Sequence, residues 1–313
     1  VGKNVAVENL LIARHNLFFP TFIFLTSMVF LILYIFSNKK QQKIFTFLIL
    51  FLVIIDLFRF ADKFTPFTPK KYLFPQTGTI SYLQKNIGIY RVMSTSSEIL
   101  PPNFSSVYNL QTIDGYDPLY LSRYAEFIIS SERGEPDISG PFGFNRIITP
   151  KNYTSSMINL LGVKYILSLS DLQTKNLRKV YQEGQTRVYE NSNAIQRIFF
   201  VSTVETSLNK SQTIRKMFDL SNNFSTTAII ENYQGQQHFT KGLIQNIAYS
   251  ANTISFDTQN SGEGFLVLTD NYYPTWHAYI DGKQTKIFLT DYTLRGIAVP
   301  QGKHTIVFLD SLF

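Results

Sequence analysis

The sequence predicts a membrane-anchored α+β protein: two transmembrane helices, then a small α/β domain and a C-terminal antiparallel β-sandwich of jelly-roll type. Three observations predict it. Residues 17–36, LFFPTFIFLTSMVFLILYIF, carry no charged side chain. At 1.5 Å per residue they span about 30 Å, the thickness of a bilayer's hydrocarbon core. A second apolar run, residues 44–60, follows after the short basic loop SNKKQQK. From Arg197 onward helix signals nearly vanish, and short strand-like runs alternate with turn residues.

The whole chain narrows the function classes. Its 313 residues suit two or three units. Mean hydropathy is near zero, but the average hides a very apolar first fifth and an ordinary remainder. The net charge of +7 is scattered, with no Lys/Arg cluster interleaved with aromatics, so no nucleic-acid groove is expected. There is no cysteine, which removes disulfides, thiolate metal sites and a Cys nucleophile. The four His, at 15, 238, 277 and 304, form no metal-ligand spacing. The chain opens on Val and closes on Phe313 behind a strand-like run, which reads as a piece of a longer protein.

The first region is residues 1–62. Residues 1–16 are short and mixed. The spans are placed at about 17–36 and 44–60. A soluble helix as long as the first would carry a polar face, and this one has none, so a buried soluble hairpin is the weaker reading. The first run is also too long for a signal peptide, lacks an A-x-A site and is followed at once by a second span. Lys39, Lys40 and Lys43 put the connecting loop in the cytoplasm and both chain ends outside, against Arg59, Lys63, Lys70 and Lys71 on the far flank. Asp56 and Arg59, three apart, share a helix face and can pair near the membrane surface.

Residues 63–76 form a linker, punctuated by prolines that forbid a continued helix. Residues 77–190 are the expected α/β domain, outside the cytoplasm. Residues 78–89 suit a short helix with Ile80, Leu83 and Ile87 on one side, and residues 90–93 a strand. In LQTIDGYDPLYLSRYAEFII (110–129), Asp117 before Pro118 suits an N-cap followed by Pro at the first helical position. Asp114, Tyr116, Asp117 and Arg123 form a polar and aromatic cluster that could contact a sugar or a phosphate; the alternative is a capped helix with its own salt links. Residues 131–149 read as a loop. Thr149-Pro150 opens another helix, with Met157, Leu160 and Leu161 as its buried stripe, before the strand VKYIL (163–167). Residues 177–181 and 186–190 flank Glu183-Gly184 as a hairpin.

Residues 191–313 are the expected extracytoplasmic sandwich. Strands are predicted at 198–204, 226–231, 242–249, 253–257, 264–269, 275–280, 283–289, 293–299 and 303–309, with one helix around 213–219. Asp281-Gly282 suits a two-residue hairpin turn of the primed type. Trp276, Ala278 and Ile280 share one face of their strand. Tyr272, Tyr273 and Trp276 could form a sugar-stacking platform; the alternative is a Trp in the core. No residues stand out as a catalytic or metal-binding set. Sequons at Asn103, Asn152, Asn209 and Asn223 suit an exposed domain.

Several phrases resemble one family: IDGYDPLYLSRYAEFI (113–128), INLLGVKYIL (158–167), VYENSNAIQRIFFV (188–201) and FLVLTDNYYPTWHAYIDGKQTKIFLTDYTLRGIAVPQGKHTIVF (265–308). Together they resemble the extracytoplasmic C-terminal region of YfhO-like bacterial membrane proteins, over roughly residues 56–308. Asp56-Leu57 also fits the end of that family's last helix before its soluble part. The resemblance implies a multi-pass cell-membrane protein of the C-type glycosyltransferase superfamily. Such enzymes use a polyprenyl-phosphate sugar donor and modify a cell-envelope glycan outside the membrane. It also implies that both chain ends lie outside. The family's essential acidic residues sit in a first outer loop that this chain does not contain, so no catalytic residue is carried over. No cofactor is expected in this chain, and its partners are the lipid bilayer and a candidate envelope glycan. The function implied is acceptor binding or an active-site lid; the alternative is a non-catalytic, membrane-anchored carbohydrate- or partner-binding protein.

Overall fold

The computed structural model describes residues 2–64, 68–143, 146–220 and 223–311. It divides into two compact units, Val1–Pro75 and Gln76–Phe313. The first unit is a helical hairpin of α1 (Gly2–Ile35) and α2 (Lys39–Phe64). Both helices are long and apolar enough to cross a membrane, and neither span is buried. Each helix runs beyond its expected span. Charges at Arg14, Lys39 and Asp62 mark where the lipid should end, but charged residues are compatible with a helix and do not stop it. The turn between the helices is fixed by a reciprocal cap: Gln41 N donates to Asn38 Oδ1 at 3.1 Å, and Asn38 N donates to Gln41 Oε1 at 3.4 Å. Phe30 meets Phe45 near this turn, with ring centroids 6.2 Å apart. The expected Asp56–Arg59 pair is not formed among the described residues; Arg59 lies over the Phe19 ring instead, 4.0 Å from its centroid. In the expected linker, α2 continues to Phe64 and Lys70–Tyr72 form a 3₁₀ turn. Residues 65–67 lie outside the described residues.

The second unit begins with α3 (Gly78–Asn86), capped by Thr77. Next come β1 (Arg91–Ser94), the two-residue β2 (Gly115–Tyr116), α4 (Ser122–Arg133) and β3 (Ile147–Ile148). Then follow α5 (Ser156–Leu160), β4 (Val163–Ser168), β5 (Leu177–Glu183) and β6 (Thr186–Asn191). A four-stranded sheet has the order β1-β4-β6-β5, with β1 parallel to β4 and the rest antiparallel. Strand alternation sends Val92, Tyr165, Leu167 and Val188 to the face covered by Ile80, Leu83 and Ile87, as the helical spacing predicts. Met93, Ile166 and Tyr189 point the other way, onto Phe127 and Ile128 of α4 and Met157 and Ile158 of α5.

Helix α4 starts later than expected. Asp117-Pro118 does not cap it; Asp117 Oδ1 accepts from Leu119 N at 2.8 Å, closing a turn ahead of the helix. Leu119, placed on the helix by the sequence, is 86% exposed outside it. Helix α5 likewise opens at Ser155, whose hydroxyl caps Met157 N, and not at Thr149-Pro150.

The remaining strands are β7 (Ile198–Val201), β8 (Thr203–Ser207), β9 (Thr227–Glu231), β10 (Gly242–Tyr249), β11 (Thr253–Asn260) and β12 (Gly264–Asn271). They continue with β13 (Trp276–Ile280), β14 (Lys283–Thr285), β15 (Phe288–Thr290), β16 (Leu294–Val299) and β17 (Gly302–Asp310). They form a six-stranded sheet, β7-β12-β16-β15-β9-β8, and a five-stranded sheet, β10-β11-β17-β13-β14. All pairs are antiparallel except β8 and β9, which are parallel. A parallel pair needs a crossover, and α6 (Lys210–Asp219) supplies it. The Asp281-Gly282 turn joins β13 to β14 with φ of +50° and +79°, as a primed turn requires.

The six-stranded sheet is buried on both faces. Ile198, Phe200, Leu266 and Leu268 pack between the two sheets with Phe256, Ile306 and Phe308. Phe199, Val201, Phe265 and Val267 face the other way, into a core continuous with α4, α5 and the four-stranded sheet. This explains why residues 198–201 and 265–268 read as unbroken apolar runs. The five-stranded sheet keeps one wet face, so β11 alternates between buried and partly exposed positions.

Candidate functional site

Three arginines and one aspartate meet where the four-stranded sheet joins the sandwich. Arg197 precedes β7 and is 1% exposed, Arg91 opens β1, Arg295 lies in β16 and Asp270 near the end of β12. Arg91 Nη2 donates to Asp270 Oδ1 at 2.5 Å, and Arg197 Nη2 donates to the same oxygen. Tyr249 OH donates to Asp270 Oδ2 at 2.9 Å. Arg91 also donates to Leu161 O at 2.6 Å and to Thr269 Oγ1 at 3.1 Å. Arg197 donates to Ile89 O at 3.1 Å and to Gln111, and lies over the Tyr249 ring. Arg295 Nε donates to Asn271 O at 2.8 Å, while its guanidinium sits 3.9 Å from the Trp276 centroid. Burial pushes the Asp270 carboxyl up, but Arg197, Arg91 and Arg295 together outweigh it and hold it below its ordinary value.

Gly162, between α5 and β4, is a condition of this cluster. Its φ is +71°, and a Cβ there would stand 3.0 Å from Arg197 Cγ and 3.2 Å from Ile195 O. The charged residues carried a readable signal: Arg197 and Asp270 each bound an apolar run, in QRIFFV and LVLTDN. Sequence reasoning did not place them together.

Beside this cluster lies a cavity of about 300 Å³. Arg91 forms part of its wall, and β12 contributes Thr269 and Asn271. The segment before α4 contributes Thr112, Asp114 and Asp117, and the start of α4 adds Tyr124. Asp114 Oδ1 is buried with no hydrogen-bond partner among the described residues. Burial raises the Asp114 carboxyl above its ordinary value, and Thr112 offsets this only in part. Tyr124 OH donates to Ile113 O at 2.5 Å, and its burial raises the phenol. A cationic donor, a carboxyl with one unpartnered oxygen, and neutral amide and hydroxyl groups converge here. Such a wall can hold and orient a polar ligand.

The structure disperses the other sequence-predicted residues. Tyr116 is 46% exposed, its backbone held by the Asn103 side chain at 2.8 and 3.0 Å. Arg123 turns away to Glu231, donating at 2.6 and 3.1 Å, and to Tyr292 O at 3.2 Å. Glu126 accepts from Lys210 Nζ at 2.6 Å and from Tyr292 OH, so α4 is tied to the sandwich by its own salt links. Trp276 packs against the core between the two sheets, on the same face as Ala278 and Ile280. Tyr272 N donates to Thr293 O at 2.6 Å, and Tyr273 is 43% exposed. Three sequon asparagines use their side chains structurally: Asn103 as above, Asn152 donating to Ser131 O at 2.8 Å, and Asn209 capping α6 at 3.0 Å; the fourth, Asn223, accepts from Thr226 N at 2.9 Å through its backbone carbonyl.

Two apolar helices of membrane-spanning length precede a β-rich unit built around a β-sandwich. Residues 231–309 match the family model described as bacterial membrane protein YfhO. That match covers the five-stranded sheet and the centre of the six-stranded one, a narrower stretch than the resemblance over residues 56–308. No curated protein and no solved structure matches the chain.

Proposed function

We propose that the unit Gln76–Phe313 lies outside the cytoplasmic membrane and binds the acceptor glycan for a transferase that uses a lipid-linked sugar. The cavity beside Arg91 carries this reading. Its polar wall joins the two halves of the unit, and Asp114 presents an oxygen that the fold leaves unsatisfied. A buried polar atom without a partner is unfavourable, so it is a place where a ligand hydroxyl gains most. The family match adds the membrane setting.

Titration of the full chain in lipid nanodiscs with short glycans, followed by ligand NMR, tests the site. Asp114→Ala should abolish binding while changing the melting temperature little, because one oxygen of the carboxyl it removes is buried without a partner among the described residues. Retained binding in the well-folded variant would exclude this cavity. The lack of native cysteine makes the orientation directly measurable. In intact spheroplasts a membrane-impermeant maleimide should label Lys283→Cys and leave Lys40→Cys unlabelled. The opposite pattern would place the soluble unit in the cytoplasm.

A further inference from the structure

We infer that an exposed apolar patch of Val107, Tyr116, Leu119 and Ile147, bordered by Phe104, docks onto the surface of the bilayer that α1 and α2 span. The inference is separate from the glycan reading. It holds whatever the cavity beside Arg91 binds, and whichever side of the membrane the unit occupies. The patch is built by the fold and is contiguous. β2 and β3 pair Tyr116 with Ile147, and directly opposed residues of an antiparallel pair share a face. Both are exposed on that face, whereas Ile148, next along β3, turns inward and is buried. The Asn103 side chain ties the next element to this pair, since it bonds both Tyr116 N and Tyr116 O. From Asn103 starts the 3₁₀ helix Phe104–Tyr108. Phe104 and Val107, three apart in that helix, lie on one side and are exposed, while Tyr108 is buried. Leu119, the most exposed of the group, has its backbone N–H fixed by the Asp117 carboxylate. Hydrogen bonds therefore hold these side chains outward. One exposed leucine is ordinary, but neighbouring exposed apolar side chains mark an interaction site.

The tether indicates what covers the patch. Helix α2 ends at Phe64 and α3 begins at Gly78. Fully extended, residues 65–77 reach at most about 45 Å, and the 3₁₀ turn Lys70–Tyr72 shortens that reach. This is comparable to the diameter of a folded unit of this length. The lipid surface therefore stays within reach at high effective concentration. Tyr and Phe among Leu, Val and Ile is also the composition that suits a membrane interface. The charged residues at the patch, Asp117 and Arg146, are opposite in sign and joined by Asp117 N donating to Arg146 O at 2.9 Å. Burial of apolar surface, and not headgroup charge, is then the driving force. Gly115 and Asp117 also line the cavity beside Arg91, so docking would set that cavity next to the lipid.

The absence of native cysteine allows single-site probes. The full chain is placed, one copy per nanodisc of phosphatidylcholine, with an environment-sensitive nitrobenzoxadiazole label on Leu119→Cys, Val107→Cys or Lys283→Cys. Emission from the first two should shift to the blue. A lipid nitroxide near the top of the acyl chain should quench them at least about twofold, the depth expected of an interfacial side chain, and leave the Lys283 label unchanged. Leu119→Asp should keep the melting temperature, because the site is exposed, and lower the docked-to-free ratio read by the Val107 label at least about tenfold. Labels at 107 and 119 as wet and as unquenched as the one at 283 would overturn the inference. A blue shift without quenching would mean that protein covers the patch, and would overturn it as well.

Discussion

Replacing Asp270 by Ala is expected to remove about 3–5 kcal/mol of stability, read as a shift in the urea midpoint of the full chain. The magnitude follows from what is left behind. Arg91 and Arg197 would stay buried with their shared counter-charge gone. Single domains are stable by about 5–15 kcal/mol, so the loss would bring this unit close to unfolding. Asp270→Asn keeps an acceptor but no charge, and should fall between the parent and the Ala variant. Arg178→Ala removes a partner of Glu190 from a side chain that is 79% exposed, and should leave the midpoint unmoved. A small shift for Asp270→Ala would show that the cluster is hydrated and not a closed ionic core. The sign with pH follows from the depressed carboxyl: its contribution is present above about pH 4 and is lost as the medium is acidified below that.

The second large effect runs the other way with pH. Asp291 is fully buried in the turn between β15 and β16. Its Oδ1 accepts from Ile229 N at 2.8 Å, and its Oδ2 is buried without a partner among the described residues. Burial, against that one hydrogen bond, pushes the carboxyl up to about 7. The folded chain therefore keeps a proton that the unfolded chain gives up near pH 4. Stability should fall by about 1.4 kcal/mol per pH unit as pH rises from about 4 to 7, roughly 4 kcal/mol in all, and then level off. Asp291→Asn should remove most of that slope and be the more stable protein at pH 8. The backbone there has φ of +46°, which Asn tolerates. Equal stability of the parent at pH 5 and pH 8 would contradict a buried neutral acid.

Elements whose pattern is local are legible in the residues themselves. The Ile80, Leu83 and Ile87 stripe predicts α3 and its buried face, and Asp281-Gly282 predicts a turn whose left-handed angles only a few residue types accept. Elements decided by distant partners are not legible. Asp117-Pro118 has the form of a helix start, yet the Asp117 carboxylate closes its own turn and α4 begins at Ser122. The parallel pairing of β8 with β9 depends on the crossover through α6, which a strand pattern does not reveal. Within the site, Asp114 and Asp117 are visible as polar residues next to turns. Arg91 is 179 positions from Asp270, and no local spacing links them.

The double burial of the six-stranded sheet bears on where a self-sufficient module can be cut from this protein. Residues 231–309 retain only β12, β16 and β15 of that sheet as whole strands, because β7, β8 and nearly all of β9 precede them. Excised at those limits, the fragment would present Phe265, Val267 and Leu294 to water and leave Asp270 without Arg91 or Arg197. The matched segment is thus only part of a larger packed unit, which runs from Gln76 to Phe313.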